Sequence, residues 1–330
     1  MSDPYDAVVV GAGPAGLTAA IYLGRFRRRV LVLHDGEPRA AWIPCTRNFP
    51  GWPDGITGVE LLQRMTEQAE RYGAIIEQRR VEAVREADGL FRIEAEGGLV
   101  TGRRLVIATG VSDNEPPLPG IERAVARGLV RICPICDAYE VSGKDVGILG
   151  CGDTGAREAL FLKTYTDRIT LVHTGAPEDL SEDHRRALAA AGVEIVETPL
   201  EAVEIQDERV LAFTWSGAVR RFDTVYSALG VTPRAELALT LGAERSADGR
   251  ITTGDHQTTS VPGLYCAGDV VRGLNQLTVA MAEAALAAVH IHNSLREADG
   301  QTVEASLASS AARTDGHSSE RIENTTVSRQ

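Results

Sequence analysis

The 330-residue chain has no apolar run near the roughly 20 residues that a bilayer-spanning helix needs. Its start, Met1-Ser2-Asp3-Pro4, puts no basic region ahead of an apolar core, so the sequence offers no secretory signal. Cysteine is sparse and odd in number, five in all, which excludes a disulfide-stapled secreted scaffold. Basic charge is short too: 34 Lys and Arg against 46 Asp and Glu leave a formal charge of −12. That balance gives no broad electrostatic footprint for nucleic acid or an anionic membrane. The expectation is a soluble cytoplasmic protein with neither among its partners.

What is present is the balance of an ordinary globular protein, 43% apolar and 24% charged, at about two domains' length. Short β-branched runs recur at Ala7–Val10, Val30–Leu33, Leu105–Thr109, Val146–Leu149, Ile169–Val172 and Val193–Val196. Bounded by turn residues and separated by helical patterns, they read as buried strands of parallel sheets. Helix-compatible spacing fills Pro14 to Phe26 and Gly155 to Tyr165, and Thr57-Gly58-Val59-Glu60 has the spacing of a capping box ahead of Leu61, Leu62 and Met65. Pro116-Pro117-Leu118-Pro119-Gly120 can continue neither element and marks a domain crossover. From about Gln301 the chain turns Ser/Thr/Ala-rich without hydrophobic period, so 301–330 reads as a disordered tail.

A strand, a glycine-rich turn and a helix occur twice. The first turn, Gly11-Ala12-Gly13-Pro14-Ala15-Gly16, follows Val8-Val9-Val10. Its glycines suit a tight turn, close approach to a pyrophosphate and helix–strand packing, and the helix start supplies free N–H groups. An acid for ribose hydroxyls is expected about 20 residues on. Asp35 stands near that spacing, with His34 as the competing position. The second turn, Gly150-Cys151-Gly152-Asp153-Thr154-Gly155, should bind a second dinucleotide by the same logic. The strand after it ends Leu171-Val172-His173-Thr174-Gly175, with no acid for a ribose and no arginine for a 2′-phosphate, so NADPH and NADH stay equally open. Arg185 and Arg186 lie in a helical run beyond, where they read equally as a solvated face.

Cys133-Pro134-Ile135-Cys136-Asp137 is the chemically richest segment. A Cys-x-x-Cys spacing closes a disulfide and favours the exchanging thiolate. Half of a zinc site is the competing reading, but zinc needs two more ligands, and Cys45, Cys151 and Cys266 are isolated. No metal is therefore expected, and the lone cysteines read as buried small side chains. Asp137 is equally a proton carrier for exchange or a capping acid.

Two such units with a cysteine pair just ahead of the second resemble the low-molecular-weight thioredoxin reductase family over roughly residues 5–297. The motifs are Gly11–Gly16, Asn48-Phe49-Pro50-Gly51, Ala108-Thr109-Gly110, Cys133–Cys136 with Asp137, Gly268-Asp269, and Asn275-Gln276 leading into Ala280. The resemblance implies an α/β fold of two Rossmann-like, three-layer dinucleotide-binding domains, the second inserted into the first. A discontinuous FAD domain would span 1–116 and 244–300, and an NAD(P)-binding-like domain with the cysteine pair would span 117–243. It implies that the first loop holds FAD, Asn48 lies by the flavin, Gly268-Asp269 binds its ribityl–phosphate region, and Asn275-Gln276 caps it. Gly-Asp there suits an acid at a helix start that orders N–H groups around a sugar hydroxyl. Cys136 would face the flavin, Cys133 would exchange with the outside disulfide, and Asp137 would act as acid/base. Domain rotation near the prolines and a homodimer are implied as well.

The chain departs from the family where Arg39-Ala40-Ala41-Trp42 replaces a Gly-Gly segment, where a His-Arg-Arg motif shrinks to His173, and where Arg-Gln becomes Asn275-Gln276. Those changes resemble divergent relatives: ferredoxin-linked or diflavin disulfide oxidoreductases, and dithiol oxidases. The leading expectation is a reductase passing electrons from NADPH or NADH through FAD and Cys133–Cys136 to a thioredoxin-like protein. The alternatives are an oxidase or ferredoxin-linked enzyme acting on a small-molecule disulfide or dithiol, and a non-catalytic FAD-binding redox sensor.

Overall fold

The computed structural model describes residues 3–36, 38–114, 121–197, 200–206, 209–214 and 219–302. The expected crossover at Pro116–Gly120 lies outside the described residues, and so does the expected tail beyond Thr302.

The chain begins with β1 (Tyr5–Val10), α1 (Pro14–Arg25) and β2 (Val30–His34). A 3-10 turn at Arg39–Trp42 and α2 (Gly58–Arg71) lead into β3 (Ile75–Gln78), β4 (Val81–Ala87), β5 (Leu90–Ala95) and β6 (Gly98–Ile107). Then come β7 (Val111–Asp113), α3 (Ile121–Ala126), β8 (Val130–Arg131), α4 (Pro134–Asp137), β9 (Val146–Gly150) and α5 (Gly152–Leu162). β10 (Ile169–His173), α6 (Glu182–Ala190), β11 (Glu194–Val196), β12 (Leu200–Gln206), β13 (Arg209–Thr214) and β14 (Val219–Phe222) follow. The described chain closes with β15 (Thr224–Ala228), β16 (Val231–Pro233), α7 (Glu236–Thr240), β17 (Leu264–Cys266) and α8 (Leu277–Ala298).

The first sheet runs β3-β2-β1-β6-β5-β4, with β17 also paired to β6. Its β3, β2, β1, β6 and β17 pairings are parallel, and β4 and β5 add an antiparallel meander. β1 reads as an unbroken apolar run because both of its faces are covered. Ala7 and Val9 pack towards α1, α2 and α8, while Val8 and Val10 pack towards the meander and α7. α1 is apolar almost all round because it is sandwiched between the sheet and α8. In α2 the Thr57 hydroxyl accepts the Glu60 N–H at 3.1 Å, as the motif predicts. The Glu60 carboxylate pairs with Arg64 instead of closing the box.

The second sheet, β11-β10-β9-β15-β8, is wholly parallel and lies in sequence between β6 and β17. The expected α/β fold with one unit inserted into the other is the one formed. The chain's exit and return strands, β7 and β16, pair antiparallel with Asp113 opposite Val231. Asn114 and Arg234 extend that ladder through backbone bonds to Gly230 and Gly110.

The start of α1 is placed by a close approach of backbone to backbone. Gly11 has φ of 111° and donates its N–H to the Leu33 carbonyl, and a Cβ on Gly16 would collide with the Gly11 carbonyl. Neither backbone segment can yield easily. Gly16→Ala should therefore cost at least about 1–3 kcal/mol, read as a lowered thermal midpoint by circular dichroism; an unchanged midpoint would refute the packing.

Candidate functional site

At the C-terminal ends of β1, β2 and β6 a cavity of ≈1160 Å³ opens between the two sheets. This is the place where open parallel sheets bind ligands. Its wall includes Gly11, Gly13, Pro14 and Ala15 from the first loop, Asp35 with His34 after β2, and Asn48. Ala108, Thr109, Gly110, Cys133, Cys136, Asp137, Gly268, Asp269, Asn275 and Gln276 also line it. Of the residues expected around the first cofactor, only Gly16 is set back, in its packing role.

The first loop fits a dinucleotide. Gly13 precedes α1, and no side chain caps the helix, so its first N–H groups are open to a ligand. A Cβ on Gly13 would meet nothing nearer than Pro38 at 3.8 Å, so its bareness keeps the space in front of the loop clear.

The Gly268-Asp269 segment differs from expectation. α8 starts only at Leu277, so Asp269 is not at a helix start. The Gly268 N–H is already given to Glu283 at 2.8 Å. Asp269 instead faces Arg39, whose Nη1 lies 3.6 Å from its carboxylate. Arg39 also clasps Asp113 with two bonds of 2.7 Å. Burial pushes the Asp269 carboxyl up, against the pull of Arg39 and Arg250. In the sequence Arg39 stood out only as a replacement for glycine. Its signal was a lone cation beside an expected phosphate site.

Cys133 and Cys136 are joined in a disulfide, with α4 starting between them at Pro134. A short relay holds it. The Thr46 hydroxyl donates to Asn48 Oδ1 at 2.9 Å, and Asn48 Nδ2 donates to Gln276 Oε1 at 2.9 Å. Gln276 Nε2 then points at both sulfurs, 3.5 Å from Cys133 Sγ and 3.4 Å from Cys136 Sγ. Asn275 turns aside, its Oδ1 accepting from Arg250 at 2.9 Å.

Asp137 is fully engaged. Arg131 Nη1 donates to Oδ2 at 2.5 Å and the Tyr226 hydroxyl donates to Oδ1 at 2.7 Å. Burial raises its carboxyl, while the Arg131 charge and the Tyr226 bond hold it down. Another carboxyl in the cavity wall, Glu158 on α5, has no such partners: its Oε2 is buried without a hydrogen bond. Burial pushes Glu158 up to about 7, opposed only by the Arg157 charge. Nothing in its sequence spacing singled it out.

The second loop does not reach this cavity. Gly150 and Gly155 pack backbone to backbone, and Thr154 accepts from Arg157 at 3.2 Å. Gly152, at φ 55°, gives its N–H to the buried His173 Nε2 at 2.9 Å, and a Cβ there would strike the Asp179 carbonyl. The Asp153 carboxylate, accepting from Ser181 N–H and held low by it, places negative charge in the first turn of α5. Arg185 is bound to Pro177, Leu180 and Glu197, and Arg186 to Asp183. One N–H of this helix start is thus taken by the chain itself and an acid stands in the same turn, and both features count against a pyrophosphate there.

Cys266 is buried, as expected, and burial pushes its thiol up. Cys151 is exposed and Cys45 half-buried in the cavity wall, so these two are not the buried side chains expected. Each follows a strand end or loop that opens to the surface instead of the core.

A family model described as pyridine nucleotide-disulphide oxidoreductase matches residues 5–284. The thioredoxin reductase of Treponema pallidum (strain Nichols) is 32% identical over 306 residues, 87% of this chain and 96% of that protein. A solved structure named HlmI superposes with a TM-score of 0.83 at 33% identity, covering 94% of this chain and 97% of its own. The thioredoxin reductase of Streptococcus pyogenes MGAS5005 does so at 0.82 and 27%, over 89% and 98%.

The raised Glu158 carboxyl has a consequence for stability. The folded chain keeps a proton there that the unfolded chain releases near 4.5, so stability falls as pH rises from there to about 7. Glu158→Gln should equal the wild type near pH 4 and exceed it at pH 8. The gain should reach up to about 3 kcal/mol, since each tenfold change in proton affinity is worth ~1.4 kcal/mol. Denaturant melts at the two pH values check this; equal gains at both would refute it.

Proposed function

The chain belongs to the pyridine nucleotide-disulphide oxidoreductase family, and from that premise we propose that Cys133–Cys136 oxidises an external dithiol and delivers its two electrons to FAD. FAD, when bound, would supply a two-electron acceptor that dioxygen can reoxidise. Gly13 and the open start of α1 would hold its pyrophosphate, Asp35 its ribose hydroxyls, and Asp269 with Arg39 its ribityl–phosphate region. Asn48 and Gln276 keep the disulfide against the same cavity. The inserted unit, 117–243, then serves chiefly to carry the cysteine pair between its neighbours, and 1–116 with 244–300 forms the flavin domain.

The observation that carries the direction is the second glycine loop. Its leading N–H is donated to His173, an acid stands in the first turn of α5, and neither Arg185 nor Arg186 is available for a 2′-phosphate. These features support a route in which electrons enter from sulfur and not from a pyridine nucleotide. A second reading is a reductase that takes electrons from NADPH or NADH and serves a thioredoxin-like protein. It is favoured by the names of the Treponema and Streptococcus relatives.

Anaerobic mixing of the flavin-loaded protein with dithiothreitol, reduced thioredoxin, NADPH or NADH separates the two by the flavin's visible absorbance. Dithiothreitol should bleach it and the pyridine nucleotides should leave it yellow. Rapid bleaching by NADPH or NADH would establish the reductase reading instead. A chain that retains no flavin after reconstitution would sink both.

A further inference from the structure

Resting on the reading that Cys133–Cys136 exchanges with external thiols, we propose that Glu158 is the group that takes and returns protons during that exchange. Two protons must move. A substrate thiol loses its proton, and the thiolate attacks one sulfur of the pair. A substrate–cysteine S–S bond forms, the Cys133–Cys136 bond breaks, and the other cysteine leaves as a thiolate that needs a proton. The second substrate thiolate then displaces the first cysteine. The substrate departs as a disulfide, oxidised by two electrons, and the pair is left reduced by two.

A group serving both halves has to accept a proton from a thiol and give it to a leaving sulfur near neutral pH. Asp137, next to the pair, is poorly free to do so. Both of its oxygens accept from Arg131 and Tyr226, and protonation forfeits the Arg131 ion pair. Glu158 has the opposite condition: a buried carboxyl oxygen with no partner, in the wall of the cavity that the disulfide also lines. It lies on α5, which packs directly against α4. An unpartnered buried oxygen is a cost that a protein otherwise avoids, and a mobile proton or a substrate S–H is what this one lacks.

Other titratable groups around α5 do not compete. α4 brings Asp137, β10 His173, and β15 Tyr226. α6 brings Glu182, Asp183, His184, Arg185 and Arg186, and the 177–179 turn brings Glu178 and Asp179. Of these, only Asp137 lines the cavity with Glu158. On α5 itself, Arg157 is the neighbouring charge and is the one that pulls Glu158 down. Burial holds Glu158 near 7, in the range the task demands.

The test is the pH dependence of anaerobic flavin bleaching by dithiothreitol in the flavin-loaded protein, for wild type, Glu158→Gln and Glu158→Asp. Wild type should show an ionisation near neutrality in addition to that of the dithiol itself. Glu158→Gln should lose that ionisation and slow at least tenfold at pH 7, with flavin content and melting behaviour near pH 4 retained. Glu158→Asp should restore an ionisation at a shifted midpoint. A Glu158→Gln profile and rate matching wild type would overturn the proposal while leaving the dithiol reading intact. A wild type that dithiothreitol fails to bleach would overturn that reading, and the role of Glu158 with it.

Discussion

The whole arrangement depends on one side-chain amide. Gln276, at the start of α8 in the first unit, offers its Nε2 to both sulfurs of a disulfide that belongs to the second unit. Asn48 locks the orientation by donating to Gln276 Oε1 and reaching the Ile135 carbonyl at 3.4 Å. Hydrogen bonds to sulfur at 3.4–3.5 Å are weak. Arg47 and Glu140, another link here, stand 4.0 Å apart. The disulfide is thus held in place by contacts that are specific in geometry and easily broken. That suits a pair that has to meet a cofactor on one side and a substrate on the other. On both links between the units lies the short β7–β16 ladder, three residue pairs long and separate from either sheet.

Charge inside the cavity is arranged against the trend of the chain. With 46 acids against 34 bases overall, three of the carboxylates in the cavity wall are matched to a guanidinium. Asp113 and Asp269 share Arg39, and Asp137 has Arg131. These pairs are partly screened and worth modest stability, yet they fix where negative charge stands. A pyrophosphate at the open start of α1 would share the cavity wall with Arg39 and the two acids it pairs. Glu158 Oε2 has no hydrogen-bond partner, and burial answers there by keeping the carboxyl protonated over more of the pH range.

Much of this was legible from the residues in order. The strand–glycine–helix units and the redox pair depend on local spacing, which a sequence displays, and the insertion of one unit in the other came from the family resemblance. The antiparallel strands β4 and β5 were not, because their half-exposed alternation is short and shares residues with ordinary surface loops, and neither was the β12–β14 meander. The helix expected at Asp269 failed for a different reason. Gly268 donates its N–H to Glu283, fifteen residues later in the chain, a partner no local pattern announces. Arg39 and Glu158 share that property: what matters about each is the presence or absence of a partner from a distant segment.

The two glycine loops show why a matching pattern does not by itself assign a ligand. Both follow a buried parallel strand, both open a helix, and both use glycines for close backbone packing. They differ in what stands in front of the helix. At α1 the facing segment, Pro38–Arg39, stops short and leaves the N–H groups free beside a guanidinium. At α5 the chain after β10 folds back instead. His173 accepts from Gly152, the Asp179 carbonyl crowds the same glycine, and Ser181 ties Asp153 in place. His173 accepts through Nε2, so its proton sits on Nδ1, which is buried without a partner. That is an unfavourable arrangement to keep. It is tolerable only because the ring fills the place and satisfies a donor that would otherwise face solvent or a ligand. The second unit therefore keeps the shape of a dinucleotide domain while one N–H of its helix start is engaged by its own chain.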